Sequence, residues 1–236
     1  MLPLPGAEEL GRRVPRLLGG LVLFGLGIAL MVRADLGLAP WDVLHQGLAE
    51  RTGNPIGRTT ILVGAAVLLL WVPLRERPGL GTIANVLVIG VAADAALAVI
   101  DPPSAMAARI ALLVIGIYLF GPGSGFYIGA GLGPGPRDGL MTGLAKRGVS
   151  VRAARTAVEV VALAVGFALG GTVGIGTVLF AATVGPNVHW HLERMTLPEP
   201  REKRADKAPR QGPDAAPPDQ SDDDRPGDAG SASRRR

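Results

Sequence analysis

Long apolar runs alternate with short polar interruptions over most of this chain. The first run, Leu17–Val32, follows a polar leader (residues 1–16) that contains Arg12, Arg13 and Arg16. Others occupy Pro55–Leu74, Leu80–Ile100, Met106–Gly129, Ala153–Gly170 and Gly174–His191. Crossing a bilayer as a helix takes about 20 mainly apolar residues. The pattern therefore predicts an all-α, polytopic membrane protein with six transmembrane helices. A secretory signal also places positive charge before an apolar run. Here the first run is echoed by Ala111–Ile128 deep in the chain, which favours an uncleaved first span.

The echo extends further. DLGLAPWDVLHQGLAERTG, Asp35–Gly53, is matched by GLGPGPRDGLMTGLAKRG, Gly131–Gly148, at an offset of 96 residues. Leu36, Gly37, Pro40, Asp42 and Gly47 return as Leu132, Gly133, Pro136, Asp138 and Gly143. A second match, Gly79–Gly90 against Gly174–Gly185, follows at 95. Self-similarity of this kind marks a duplicated unit, here residues 17–104 and 105–196. Pro40 and Pro136 suit the first position of a helix, where no N–H is needed. Trp41, Leu44 and Leu48 share a helical face. Each motif is expected to form a short half-helix lying at, or dipping into, the membrane surface.

Three spans per copy require the second copy to enter the membrane from the opposite side. Charge agrees with that inversion. Arg33–Arg58 carries three arginines against three acids, whereas Gly129–Arg155 carries five basic residues against Asp138 alone. Cytoplasmic loops are enriched in Lys and Arg, so the two equivalent loops are expected on opposite sides, with both termini cytoplasmic at the plasma membrane. The formal net charge of +4 lies wholly in the first 196 residues, because residues 197–236 balance in sign. That last stretch, rich in Pro, Asp, Arg and Ser, is too polar to offset chain entropy and is expected to be a disordered cytoplasmic tail. Aromatic residues are sparse and no basic stripe interleaves with them, which argues against nucleic acid. The absence of cysteine removes thiol and zinc-thiolate chemistry. No P-loop, GxSxG or HExxH occurs, no cofactor is indicated, and an enzyme is the least favoured class.

Ionisable residues inside apolar spans are costly and usually face a cavity or a partner. Asp94 and Glu159 are the two of interest. At the 95-residue offset they align with His189 and Gly64, so neither is duplicated. Asn85 lies nine residues before Asp94, about half a turn around a helix, so those two are not expected to share a cavity. A transport or proton-linked role competes here with simple salt bridging. Asp42 and Asp138 are duplicated. Each could cap its half-helix or bind an arginine, with Arg33 and Arg137 at hand. Alternatively, two half-helix starts brought together by symmetry would offer free N–H groups to an anion. Gly121, Gly125, Gly129 and Gly133 recur every fourth residue, a spacing suited to close packing, expected between the two repeats. Pro122 frees a carbonyl within the same span.

The segment GIALMVRADLGLAPWDVLHQGLAERTG, with LGLAPWD at Leu36–Asp42 and RPGLGT at Arg77–Thr82, resembles the YczE/YyaS/YitT family of bacterial integral membrane proteins. The resemblance spans roughly Leu17 to Met195 and implies a polytopic plasma-membrane protein. Inverted repeats, broken helices and isolated intramembrane acids favour a small transporter or permease for a small solute in the lipid bilayer. The rival is a non-transporting membrane partner that stabilises or regulates another protein.

Overall fold

The computed structural model describes residues 6–197; of the expected charged tail (residues 197–236), all but Leu197 lies outside the described residues. These fold into eight helices with no strand: α1 (Ala7–Ala34), α2 (Pro40–Thr52), α3 (Ile56–Leu74), α4 (Leu80–Val99), α5 (Met106–Gly129), α6 (Pro136–Ala145), α7 (Val151–Ala168) and α8 (Ile175–Met195). By length and composition, α1, α3, α4 and α5 are suited to cross a membrane. α7 and α8 occupy the fifth and sixth apolar runs but are more polar. α7 carries Arg152, Arg155 and Glu159 within 18 residues, and α8 ends in HWHLERM. The half-helices are α2 and α6, each with proline in its first turn.

α1 starts ten residues before its apolar run, so part of the expected leader is helical. The reason is a destination for Arg13. Its buried guanidinium donates to the Ala130 carbonyl, just past the end of α5, at 2.7 Å. Arg109, at the start of α5, donates equivalently to the Ala34 carbonyl at the end of α1, also at 2.7 Å. Each arginine satisfies a carbonyl that the helix end leaves without an intrahelical partner. The pair also shows that α1 and α5, equivalent helices of the two repeats, run antiparallel. Between these ends, the buried Leu21, Ile28, Met31, Leu113, Ile117 and Phe120 form the main core.

The two conserved-in-copy motifs lock onto each other across the repeats. The Leu36 carbonyl accepts from Gly176 N–H at 2.8 Å, and the Leu132 carbonyl accepts from Gly81 N–H at 2.8 Å. Thus the first motif of each copy docks on the second motif of the other. Gly37 and Gly133 turn the chain there with φ of 113° and 126°, angles that a side chain rarely tolerates. A Cβ on Gly37 would sit 2.7 Å from Gly174 N. Thr82 and Thr177 close the starts of α4 and α8, their hydroxyls accepting from Gly79 and Gly174 N–H at 3.0 and 3.3 Å.

The half-helices are sunk in protein. α2 packs on α3 and α7, and α6 packs on α3 and α7 in turn. Trp41, Asp42, Val43, His45, Gly47 and Ala49 are all buried, so α2 is covered on nearly every face. Close approach is set by glycine. Gly47 meets the Gly166 backbone of α7, and a Cβ on Gly139 of α6 would overlap the Trp71 ring of α3. That indole in turn donates to the Pro136 carbonyl at 3.0 Å.

The Gly121, Gly125 and Gly129 face does not pack between the repeats as expected. It faces α8 of its own repeat, against Asn187, His191 and Met195. Gly25, the counterpart of Gly121, likewise faces its own repeat's α4, at Ile89 and Ala93. The repeat-to-repeat contact uses other glycines, Gly20 and Gly27 against Gly123 and Gly116. A helix face is thus chosen by what opposes it, and the four-residue spacing alone does not name the partner. Pro122 leaves the Tyr118 carbonyl without its helical N–H; the Asn187 side chain supplies one at 3.0 Å and also reaches the Ile117 carbonyl at 3.1 Å.

Candidate functional site

The starts of α2 and α6 converge on one cavity of about 490 Å³, walled also by α1, α4, α5, α7 and α8. Pro40 and Trp41 come from one half-helix, Pro136, Arg137 and Asp138 from the other. Trp41 and Arg137 are equivalent positions of the repeat, and they stack: the guanidinium lies 5.1 Å from the ring centroid, within cation–π range. The same two residues also border a smaller void of about 30 Å³ that reaches His45 and Thr60. Here a tryptophan of one copy faces an arginine at the equivalent position of the other.

The remaining wall is aromatic and apolar, with polar groups set into it. Phe24, Phe120 and Phe180 form a chain of ring contacts at centroid distances of 4.5 and 4.9 Å. Asn85, Ser124 and Tyr127 are polar lining residues from α4 and α5. Tyr127 donates to the Asp138 carboxylate at 2.9 Å while its oxygen accepts from Gly135 N–H at 3.0 Å, which ties α5 to the start of α6. Arg155 and Glu159, one turn apart on α7, form an ion pair at 3.0 Å.

The duplicated aspartates are therefore held differently. Asp138 is exposed and bonded to Tyr127 rather than to Arg137 or Arg33. Asp42 is 1% exposed and lies beside His45, whose Nδ1 is 3.3 Å from its carboxylate. The Thr60 hydroxyl lies 3.2 Å from the same nitrogen. Position 127 corresponds to Met31 in the first copy, so Asp42 has no phenol to meet and turns to a histidine of its own helix. Arg33 reaches the Leu97 carbonyl at the end of α4 and does not line the cavity.

Asp94 also lies outside the cavity. Its two carboxylate oxygens accept from Gly57 N–H at 2.7 Å and Arg58 N–H at 2.9 Å, the free donors at the start of α3. This clasp draws α3 onto α4, with Gly57 and Gly90 in backbone contact. The second repeat has no equivalent. At the 95-residue offset, Gly57, Gly64 and Asp94 become Arg152, Glu159 and His189. Two large charged side chains replace glycine and the clasping carboxylate is gone. α7 and α8 accordingly barely touch, and Gly185, the counterpart of Gly90, has nothing near it. Both helices line the cavity on this side, α7 through Arg155 and Glu159 and α8 through Phe180, Val184 and Gly185. Of the predicted polar site residues, Asn85, Asp138 and Glu159 share the cavity wall, while Asp42, Asp94 and Arg33 stand apart from it. Asn85 and Asp94 do face different surroundings, as their half-turn separation requires. Tyr127, Ser124 and Arg155 were not singled out by the sequence pattern. Aligning the copies does flag Tyr127 and Arg155, which replace Met31 and Thr60.

A family model described as "Family of unknown function (DUF6198)" matches residues 11–193. An uncharacterized protein of Haemophilus influenzae is 42% identical over 177 residues, covering 75% of this chain and 81% of its own length. The uncharacterized membrane protein YczE of Bacillus subtilis is 33% identical, covering 75% of this chain and 84% of its own length. The uncharacterized protein YyaS of the same organism is 28% identical, with coverage of 72% and 87%. No solved structure matches.

Proposed function

This chain belongs to the DUF6198 family, whose model covers most of it, and it is similar to YczE and YyaS; from that premise we propose that it is a small multi-pass membrane transporter for a small solute. The observation that carries the reading is the convergence of both half-helix starts on one 490 Å³ cavity. Broken helices meeting at a repeat interface are a recurrent way to build a solute site in a membrane.

In this reading α7 and α8 cross the membrane with the other four long helices, with Arg155 and Glu159 turned to the cavity. The two repeats are inverted, in keeping with the antiparallel α1 and α5, and both termini are cytoplasmic. The Asp94 clasp, the Arg33–Leu97 contact and the Arg109–Asp35 pair (2.9 Å) then seal the outer side. The gap between α7 and α8 faces the cytoplasmic half, so this conformation is inward-open. Alternating access would exchange the two halves, parting α3 from α4 while α7 closes on α8. No chemistry is assigned to the site, and no cofactor is needed for such a cycle.

The test is solute release from proteoliposomes loaded with a mixture of small organic acids, amines and neutral solutes, read by mass spectrometry. The proposal expects at least one solute to leave faster than from protein-free vesicles, with the acceleration lost in Asn85→Ala. No accelerated release of any solute contradicts it.

A further inference from the structure

We infer that the cavity takes an amphipathic organic anion, with its carboxylate on Arg137 and its apolar body against the phenylalanine wall. The inference rests on reading this cavity as the solute site and adds the chemical class of the solute. Four charged residues line the cavity: Arg137, Asp138, Arg155 and Glu159. Three of them already have partners. Arg155 and Glu159 neutralise each other at 3.0 Å, and Asp138 accepts from Tyr127 at 2.9 Å. Arg137 makes neither an ion pair nor a hydrogen bond among the described residues; its contact is the Trp41 ring at 5.1 Å.

A guanidinium carries five N–H donors in a planar fork and accepts nothing. Half-buried in a largely apolar wall, it has donors that no protein acceptor among the described residues fills, and the planar group that matches its fork is a carboxylate or a phosphate. Stacking on Trp41 fixes the plane of the fork without using its donors, so they stay free for a ligand. Asp138, the neighbouring acid that would repel an anion, is held by Tyr127 on the α5 side.

The rest of the wall limits the anion's other end. Five of the chain's ten aromatic residues line this one cavity (Phe24, Trp41, Phe120, Tyr127 and Phe180), although aromatics make up only 4% of the sequence. A small hydrophilic anion would leave that surface unused. An aryl or alkyl carboxylate covers it. α7 and α8 themselves carry the exposed apolar side chains Val161, Val165 and Val178, a surface beside which the apolar body of such a molecule can partition.

The experiment uses the full chain in lipid nanodiscs, titrated with 2-naphthoate, its neutral amide and 2-naphthylmethylamine, each followed by isothermal calorimetry. Naphthoate is expected to bind on the order of tenfold or more tighter than the amide. Arg137→Gln should remove that preference while leaving amide affinity within about twofold, and Arg137→Lys should restore part of it. Arg155→Gln should leave the preference in place. Equal affinity for acid and amide, a preference for the amine, or no binding of any probe overturns the inference. An unfolded Arg137→Gln variant would show as lost amide binding, and the acid-to-amide ratio of the wild-type protein then decides. Binding is read at equilibrium and flux separately: naphthoate that binds selectively but never crosses proteoliposomes contradicts the transport reading and leaves the ligand class standing.

Discussion

Replacing Asp94 by alanine removes the clasp between α3 and α4, and its cost follows from the two bonds that are lost. A hydrogen bond to a charged group contributes about 1.5–3 kcal/mol. The Gly57 N–H bond, 2.7 Å and partly buried, carries that full amount. The Arg58 N–H bond, 2.9 Å and open to solvent, is discounted to below about 1 kcal/mol. The start of α3 also loses what amounts to its cap, since Pro55 offers no side-chain acceptor. Together Asp94→Ala should destabilise the fold by about 2–4 kcal/mol. For a chain of this length that is a fall in melting temperature of roughly 5–12 °C. Asp94→Asn keeps one carbonyl acceptor and should lose about half as much. Thermal unfolding of the detergent-purified protein, followed by tryptophan fluorescence, measures both; buried Trp71 on α3 is the natural reporter. A melting temperature within about 2 °C of wild type for Asp94→Ala would refute the clasp. Unchanged stability with abolished flux in Asp94→Asn would instead make this acid a coupling residue.

Adjacent glycines on α1 should respond oppositely. A Cβ on Gly20 would lie 2.6 Å from Tyr127 N and 2.7 Å from the Gly123 carbonyl, whereas one on Gly19 meets nothing within 4 Å. Gly20→Ala should therefore part α1 from α5 and lower the melting temperature sharply, while Gly19→Ala should stabilise by about 0.5–1 kcal/mol; equal effects would mean that the α1–α5 contact is misplaced. Asn187→Ala should cost about 1–3 kcal/mol, because it strips the donor from the Tyr118 carbonyl. In a Pro122→Ala background, whose new N–H serves that carbonyl, the same change should cost about 1 kcal/mol less, and a double-mutant cycle showing additivity would sink the explanation. Tyr127→Phe should loosen α6 by freeing both the Gly135 N–H and the Asp138 carboxylate, visible as faster amide exchange in Pro136–Ala145.

The helices were legible because apolar run length and the doubled motif report on bilayer thickness and on duplication, both properties of the chain itself. What was not legible depends on backbone groups that carry no residue-type signal. Asp94 reads as an isolated intramembrane acid; its partners are two N–H groups 36 and 37 residues earlier in the chain, which any residue except proline provides. Arg13 likewise extends α1 because a carbonyl 117 residues away accepts from it. For the aspartates of the doubled motif the expected partners are arginines, the usual partners of acids. Tyr127 and His45 take those places, and only a difference between the copies, Tyr127 against Met31, could have hinted at it. The Trp41–Arg137 stack was the most recoverable of the missed contacts. Aligned repeats put both residues at one position, and a two-fold relation brings equivalent positions near its axis together. The α7–α8 gap was recoverable in the same way, since glycine giving way to Arg152 and Glu159 marks where two helices no longer approach.

The proposed alternating access rests on opposite sidedness of the two repeats. The described residues hold no cysteine, and the full sequence has none either, so single cysteines can be read without background. Thr52 and Val149 are exposed at equivalent ends of the two half-helix loops. Intact cells carrying Thr52→Cys or Val149→Cys would be treated with a membrane-impermeant maleimide, before and after permeabilisation. Inverted repeats with cytoplasmic termini predict labelling of Thr52→Cys in intact cells and of Val149→Cys only after permeabilisation. Labelling of both from the same side would contradict the inversion and, with it, the alternating-access account.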